Sequence, residues 1–190
     1  MRTLGIPDEE FIRGKVPMTK AEIRAMVMVK AAIASGDCVA DIGAGTGSLS
    51  VEAALCAEHG KVYAIERNPE GASLIRENAD RFGCGNIEVI QGTAPEAMEA
   101  LPECQVILIG GSGGNLKEII DCADAHLARG GRMVLTSVTA ETTGVIVEEF
   151  RGREYDFSGF QMQVSRLRKL GRYHLYDPLS PVFIFTAVKK

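Results

Sequence analysis

Residues 39–48 read Val-Ala-Asp-Ile-Gly-Ala-Gly-Thr-Gly-Ser, an apolar run that ends in an acid and then passes through three alternating glycines. Glycine is demanded where backbone turns at positive φ, or where a ligand lies so close to the main chain that a Cβ would collide with it. Followed by Leu49–Glu58, which has the composition of a helix, the segment predicts strand, tight loop and helix, the opening unit of an α/β sheet. The spacing is Asp-x-Gly-x-Gly-x-Gly, whereas the dinucleotide fingerprint is Gly-x-Gly-x-x-Gly. A pyrophosphate is therefore a poorer match than S-adenosylmethionine, whose carboxylate suits backbone N–H groups at a helix start and whose ammonium suits Asp41. Asp41 also reads as a simple loop cap.

A second apolar strand, Lys61–Ile65, ends in Glu66, nineteen residues after Gly47. A doubly wound sheet places there the acid that accepts hydrogen bonds from ribose hydroxyls. A solvated charge at a strand end is the plain alternative. Further strands are predicted at Cys38–Ile42, Ile87–Gln91, Gln105–Ile109 and Arg132–Thr136, with helices at Pro69–Phe82, Leu116–Leu127 and Ala140–Phe150. Asn68 is a cap and Pro69 stands at the first helical position. Ahead of the sheet, Thr19-Lys20-Ala21-Glu22 has the form of a capping box that opens a helix, and Ile12–Thr19 is a candidate lid. After Arg151-Gly152-Arg153 the alternation stops, and Asp156–Leu167 with Val182–Val188 read as an antiparallel hairpin around a basic turn. A five-stranded parallel sheet closed by such a pair is the Rossmann-like α/β fold of class I methyltransferases rather than that of dehydrogenases. The expectation is one domain over 1–190: lid and helix in 1–35, cofactor-binding core in 36–150, hairpin in 151–190.

Length and composition limit the function. At 190 residues, 46% hydrophobic and 24% charged, the chain is long enough for a full core. A net charge of −4 argues against broad affinity for nucleic acid or anionic membrane. The five cysteines are odd in number and never form Cys-x-x-Cys, which fits free thiols in a reducing cytoplasm. No long apolar run predicts a membrane span, and Asp8-Glu9-Glu10 stands where a signal peptide would be basic and then apolar.

Candidate cofactor contacts are Thr19, Asp41, Gly43, Gly45, Thr46, Gly47, Ser48, Glu66, Arg67, Gly92, Thr93, Ala94 and Gly110. Gly92-Thr93-Ala94 closes the third strand at the edge where an adenine would lie. The fourth strand runs into Gly110-Gly111-Ser112-Gly113-Gly114-Asn115, at the sheet edge where ligands bind in open α/β folds. This loop lacks the prolines and aromatic of nucleic-acid amino methyltransferases and the acids of metal-dependent ones, so no metal is expected. Its glycines leave room for a large substrate, or else make a tight packing loop. Positive charge gathers at Arg13, Lys15, Lys20 and Arg24 and again at Arg166, Arg168, Lys169 and Arg172, either of which suits substrate carboxylates if it lines the cleft. No nucleophile–base constellation is visible, and His59, His126 and His174 read as structural. Methyl transfer from a sulfonium to an electron-rich carbon needs positioning more than acid–base help. The readings left open by the residues alone are a methyltransferase for a small molecule, for tRNA or for protein, a noncatalytic S-adenosylmethionine-binding subunit and, third, a nicotinamide dehydrogenase.

Taken together, Gly5–Phe11, Pro17–Arg24, the Asp41–Gly47 loop and Gly110–Gly114 resemble the decarboxylating precorrin methyltransferases of cobalamin biosynthesis, the C15-methylating type. The resemblance spans essentially the whole chain and is to the stand-alone form of the cobalt-early route, without a second C5-methylating domain. It implies cobalt-precorrin-6B as substrate, methylation at C15, loss of CO2 from the ring C acetate, and S-adenosylhomocysteine as the second product. It also implies a homo-oligomer, commonly a tetramer, and makes Gly111, Ser112, Gly113, Arg13, Lys20 and Arg24 candidates for positioning a carboxylate-rich tetrapyrrole.

Overall fold

The structure is a computed structural model and describes residues 4–111 and 113–190. Short runs of β-branched and aliphatic residues form β1 (Cys38–Ile42), β2 (Lys61–Glu66), β3 (Ile87–Gln91), β4 (Cys104–Ile109) and β5 (Leu127–Ser137), all parallel. β6 (Tyr155–Met162) and β9 (Val182–Lys189) complete a seven-stranded sheet of order β3-β2-β1-β4-β5-β9-β6. β9 runs antiparallel to both β5 and β6. The class I methyltransferase arrangement expected from the sequence is therefore present.

Successive strand residues face opposite sides, so each buried strand feeds two cores. Val39, Val62, Val106, Val134 and Ile184 pack with α1 (Ala21–Ala31), α2 (Ser48–Cys56) and the end of α3 (Pro69–Phe82). Ile42, Ile107, Met133 and Phe185 pack with α4 (Leu116–His126) and α5 (Ala140–Phe150). Asn68 caps α3 through Oδ1, which accepts the Glu70 N–H at 2.9 Å, with Pro69 following as expected. Among the described residues no helix is long and apolar enough to cross a membrane.

Three local expectations are corrected. The Thr19–Glu22 capping box does not form: Lys20 is the N-cap, without a side-chain cap, and the Glu22 carboxylate turns instead to Arg166 at 2.6 and 2.8 Å. A charged partner outcompetes a neutral backbone donor for a carboxylate. The single stretch Asp156–Leu167 is two strands: β6 ends at Met162, and the chain leaves the sheet for a separate two-stranded hairpin, β7 (Ser165–Leu170) and β8 (Tyr173–Pro178). Its turn is Gly171-Arg172, with Gly171 at φ +60, a geometry that glycine supplies at the first position of a two-residue hairpin loop. Finally, α4 stops at His126 because Leu127 is already extended and begins β5, five residues earlier than the apolar run suggests.

The N-terminal segment is stapled across the helices by side chains that accept or donate to its backbone. Glu52 accepts the Gly5 and Ile6 N–H groups, Asn78 exchanges two hydrogen bonds with Ile12, and Glu70 accepts the Lys15 N–H at 2.8 Å. Residues 12–20 thereby become a strap that crosses the β1 loop: a Cβ on Gly45 would stand 3.0 Å from the Pro17 carbonyl oxygen.

Candidate active site

The β1, β2, β3 and β4 loops and the strap enclose a cavity of about 730 Å3 at the carboxyl edge of the parallel strands, within the ~300–1,000 Å3 usual for small-molecule sites. One part lies over β1 to β3 and is walled by Gly43, Ala44, Gly45, Glu66, Arg67, Asn68, Gly92, Thr93 and Ala94. The other lies over β4, β5 and β9, walled by Gly110, Gly111, Gly113, Asn115, Thr136, Val138, Leu179, Ser180 and Val182. Val16, Pro17, Met18, Thr19 and Lys20 of the strap join the two.

The β1 loop is a glycine requirement made visible. Gly43 has φ +72, and a Cβ there would stand 2.6 Å from the Gly111 carbonyl oxygen, so the β1 and β4 loops touch backbone to backbone. Glu66 is buried at the end of β2. Its Oε2 accepts the Gly45 N–H and its Oε1 the Asn68 N–H, each at 2.8 Å. Each oxygen keeps a further lone pair, enough for the two ribose hydroxyls expected there.

Asp41 does not reach the cavity wall. It is fully buried between β1 and α2, with Oδ2 accepting from Ser50 Oγ at 2.5 Å and Oδ1 lacking a partner among the described residues. Burial pushes its carboxyl up to about 6, opposed by the Ser50 hydrogen bond and reinforced by the charge of Glu66. Thr46 Oγ1 is likewise buried and without a partner among the described residues. Such atoms sit in the ground of a polar ligand or an ordered water that would satisfy them. Together with the glycine cradle and the Glu66 acceptors, they fit S-adenosylmethionine. Thr46, Gly47 and Ser48 also stand behind the wall, where they shape the loop.

The basic residues separate. Lys20 and Arg67 line the cavity. Arg24 does not, which corrects its candidacy as a substrate contact. It is fully buried, with Nε 2.7 Å from Glu52 Oε1, Nη1 3.3 Å from Asp8 Oδ1 and 2.7 Å from the Thr19 carbonyl oxygen, and Nη2 donating to the Ile6 carbonyl. Arg13 is exposed on the strap and away from the cavity wall, a second correction. In the C-terminal cluster Arg166 pairs with Asp8 and Glu22, and none of its members lines the cavity. Gly111 and Gly113 are at the wall, and Ser112 lies outside the described residues.

Val16, Pro17 and Met18 fall within the segment expected to form a lid and Asn115 within the glycine loop, though none was singled out as a contact; sequence reasoning missed Thr136, Val138, Leu179, Ser180 and Val182 altogether. Asn115 follows the glycines directly and was within reach of the motif. Leu179 to Val182 required knowing that β9 lies beside β5, which no local pattern states.

The precorrin methyltransferase domain family matches residues 10–189. A cobalt-precorrin-6B C(15)-methyltransferase (decarboxylating) of Salmonella typhi is 40% identical over 185 residues, 96% of this chain and 95% of that one. Among solved structures, precorrin-6y C5,15-methyltransferase from Geobacter metallireducens superposes with a TM-score of 0.93 at 36% identity, covering 99% of this chain and 98% of that chain. Precorrin 8W decarboxylase from Methanobacterium thermoautotrophicum follows with a TM-score of 0.90 at 35% identity, covering 95% and 98%. With near-complete matches in sequence and in backbone, this chain belongs to the precorrin methyltransferase family.

Proposed function

We propose that this chain is a cobalt-precorrin-6B C15-methyltransferase (decarboxylating), acting as one domain. The observation that carries the reading is a single cavity in which a glycine and acid cofactor wall runs without a break into a roomy glycine loop. When bound, S-adenosylmethionine supplies an electrophilic methyl group on a sulfonium. The chain does the rest by placement. Glu66 holds the ribose hydroxyls, Gly92 to Ala94 border the adenine, and the β1 loop amides receive the carboxylate. Asp41 Oδ1 and Thr46 Oγ1 offer the ammonium a water-borne acceptor. The strap excludes water from above, and the Gly110–Asn115 loop lets the macrocycle approach in line.

Decarboxylation breaks the bond between the acetate CH2 and its carboxylate carbon. The electron pair passes into the conjugated macrocycle, and the CH2 becomes CH3 by taking up a proton, matching the one released where the methyl group is gained. No metal ligand or external oxidant enters that balance.

Two finer statements belong to the same proposal. A homotetramer is supported by the β7–β8 hairpin, which leaves Leu167, Leu170, Tyr173, Leu175 and Tyr176 exposed, since two-stranded hairpins are marginal alone. Residence in the cytoplasm is supported by five cysteines that are all free. The test is incubation with methyl-labelled S-adenosylmethionine and cobalt-precorrin-6B followed by mass spectrometry. Gain of one labelled methyl with loss of one CO2 is expected; an unchanged tetrapyrrole beside bound cofactor would overturn the function.

A further inference from the structure

The substrate proposed above is rich in carboxylates, yet only one of them is lost. Among the described residues of the cavity wall the cations are Lys20 and Arg67, and neither makes a hydrogen bond or an ion pair with another described side chain. Of the other candidate cations, Arg24 is locked in its buried cluster and Arg166 on Asp8 and Glu22, and neither they nor the exposed Arg13 and Lys15 stand in the cavity wall. Arg67 follows Glu66 on β2, but its guanidinium extends across to the glycine loop after β4. A Cβ on Gly113 would stand 2.6 Å from Arg67 Nη1. That places its charge where the cofactor part of the cavity meets the substrate part. Lys20 stands on the strap at the start of α1, over the same opening. By contrast, the wall made by Thr136, Val138, Leu179, Ser180 and Val182 carries no charge.

We infer that Arg67 and Lys20 form a clamp for carboxylates that the reaction keeps, orienting the macrocycle so that the acetate to be lost faces the uncharged wall of Val138, Leu179 and Val182. The inference rests on the function proposed above. Its chemistry is an asymmetry between ground and transition states. A cation beside a carboxylate stabilises the full negative charge that decarboxylation disperses, so it slows CO2 loss, whereas an uncharged and poorly hydrated wall favours it. The same cations beside the permanent carboxylates cost nothing in rate and fix the register of C15 against the methyl group.

The test compares Arg67→Gln, Lys20→Gln and Leu179→Lys with the wild-type protein, using calorimetry for S-adenosylmethionine and steady-state turnover of cobalt-precorrin-6B. The first two variants raise KM for the tetrapyrrole about tenfold or more, the scale of one charge-assisted contact, a larger change than any in cofactor affinity. Arg67→Lys restores part of the loss because the charge returns without the fork. Leu179→Lys increases the share of product that has gained the methyl but kept the acetate. A cofactor affinity that falls in step with KM would return Arg67 to the cofactor wall and overturn the clamp. Unchanged KM in both glutamine variants, or an unchanged product ratio in Leu179→Lys, would do the same. Absence of turnover in the wild-type protein would instead overturn the function itself, a result distinct from active wild type with unaffected variants.

Discussion

At 2.8 Å from the Gly45 amide and 2.8 Å from the Asn68 amide, the Glu66 carboxylate ties the β1 loop to the β2 loop. Glu66→Ala therefore has two effects. Cofactor affinity falls about tenfold to a hundredfold, the loss of charge-assisted hydrogen bonds, and the melting temperature drops by a few degrees because two backbone donors lose their acceptor. Calorimetry that finds the affinity unchanged removes Glu66 from the site. Asp41 makes a prediction in pH. Its carboxyl is raised from 3.8 to about 6, chiefly by burial, so the folded chain holds this proton across a window in which the unfolded chain has released it. The stability it contributes is complete below about pH 4 and is lost as pH rises through 6, on the order of 3 kcal/mol in total. Asp41→Asn does not titrate, so its stability relative to wild type rises between pH 4 and 7, as thermal melts at the two pH values will read; a constant difference would refute the shifted carboxyl. Both acids were legible because strand ends and glycine spacing announce them. Arg24 was not, since its sequence neighbours give no sign that Asp8 and Glu52 converge on it from other elements.

At the scale of elements, the strap and α1 depend on that convergence. Arg24 joins the N-terminal segment through Ile6 and Asp8, α2 through Glu52 and the strap through Thr19. Removing one member of a buried charged cluster leaves the others unpaired, at a cost of about 3–5 kcal/mol. Arg24→Met should lower the melting temperature by roughly 6–20 °C, at ~2–4 °C per kcal/mol for a chain of this size. Arg13→Ala, eleven residues earlier and exposed, should change it by no more than about 2 °C. Equal losses in the two would refute the division of the basic cluster into a structural and a solvated part. The helices and parallel strands were readable from apolar spacing and caps. The β7–β8 hairpin was overlooked although Leu170-Gly171-Arg172-Tyr173 carries a two-residue turn signal, because β6 and β7 alternate in the same period and only Gln163-Val164 separates them.

For the whole molecule, the outward hairpin predicts association. Replacing Leu167 and Tyr176 together by aspartate puts charge on two of its most exposed apolar positions, 65% and 78% accessible, and light scattering should then report a smaller assembly than for the wild-type protein. An unchanged mass would move the interface elsewhere.

The position of β9 has a consequence for biosynthesis. It stands between β5 and β6, and among the described residues β6 has no other strand partner in the sheet. A ribosome delivers the segments in chain order, so β6 emerges with its amides and carbonyls unpaired, and the hairpin follows before the strand that will accept it. The nascent chain thus carries an open sheet edge at β5 and a waiting strand at β6 until Val182–Lys189 clears the exit tunnel, which makes that interval the one in which holdase chaperones have most to protect.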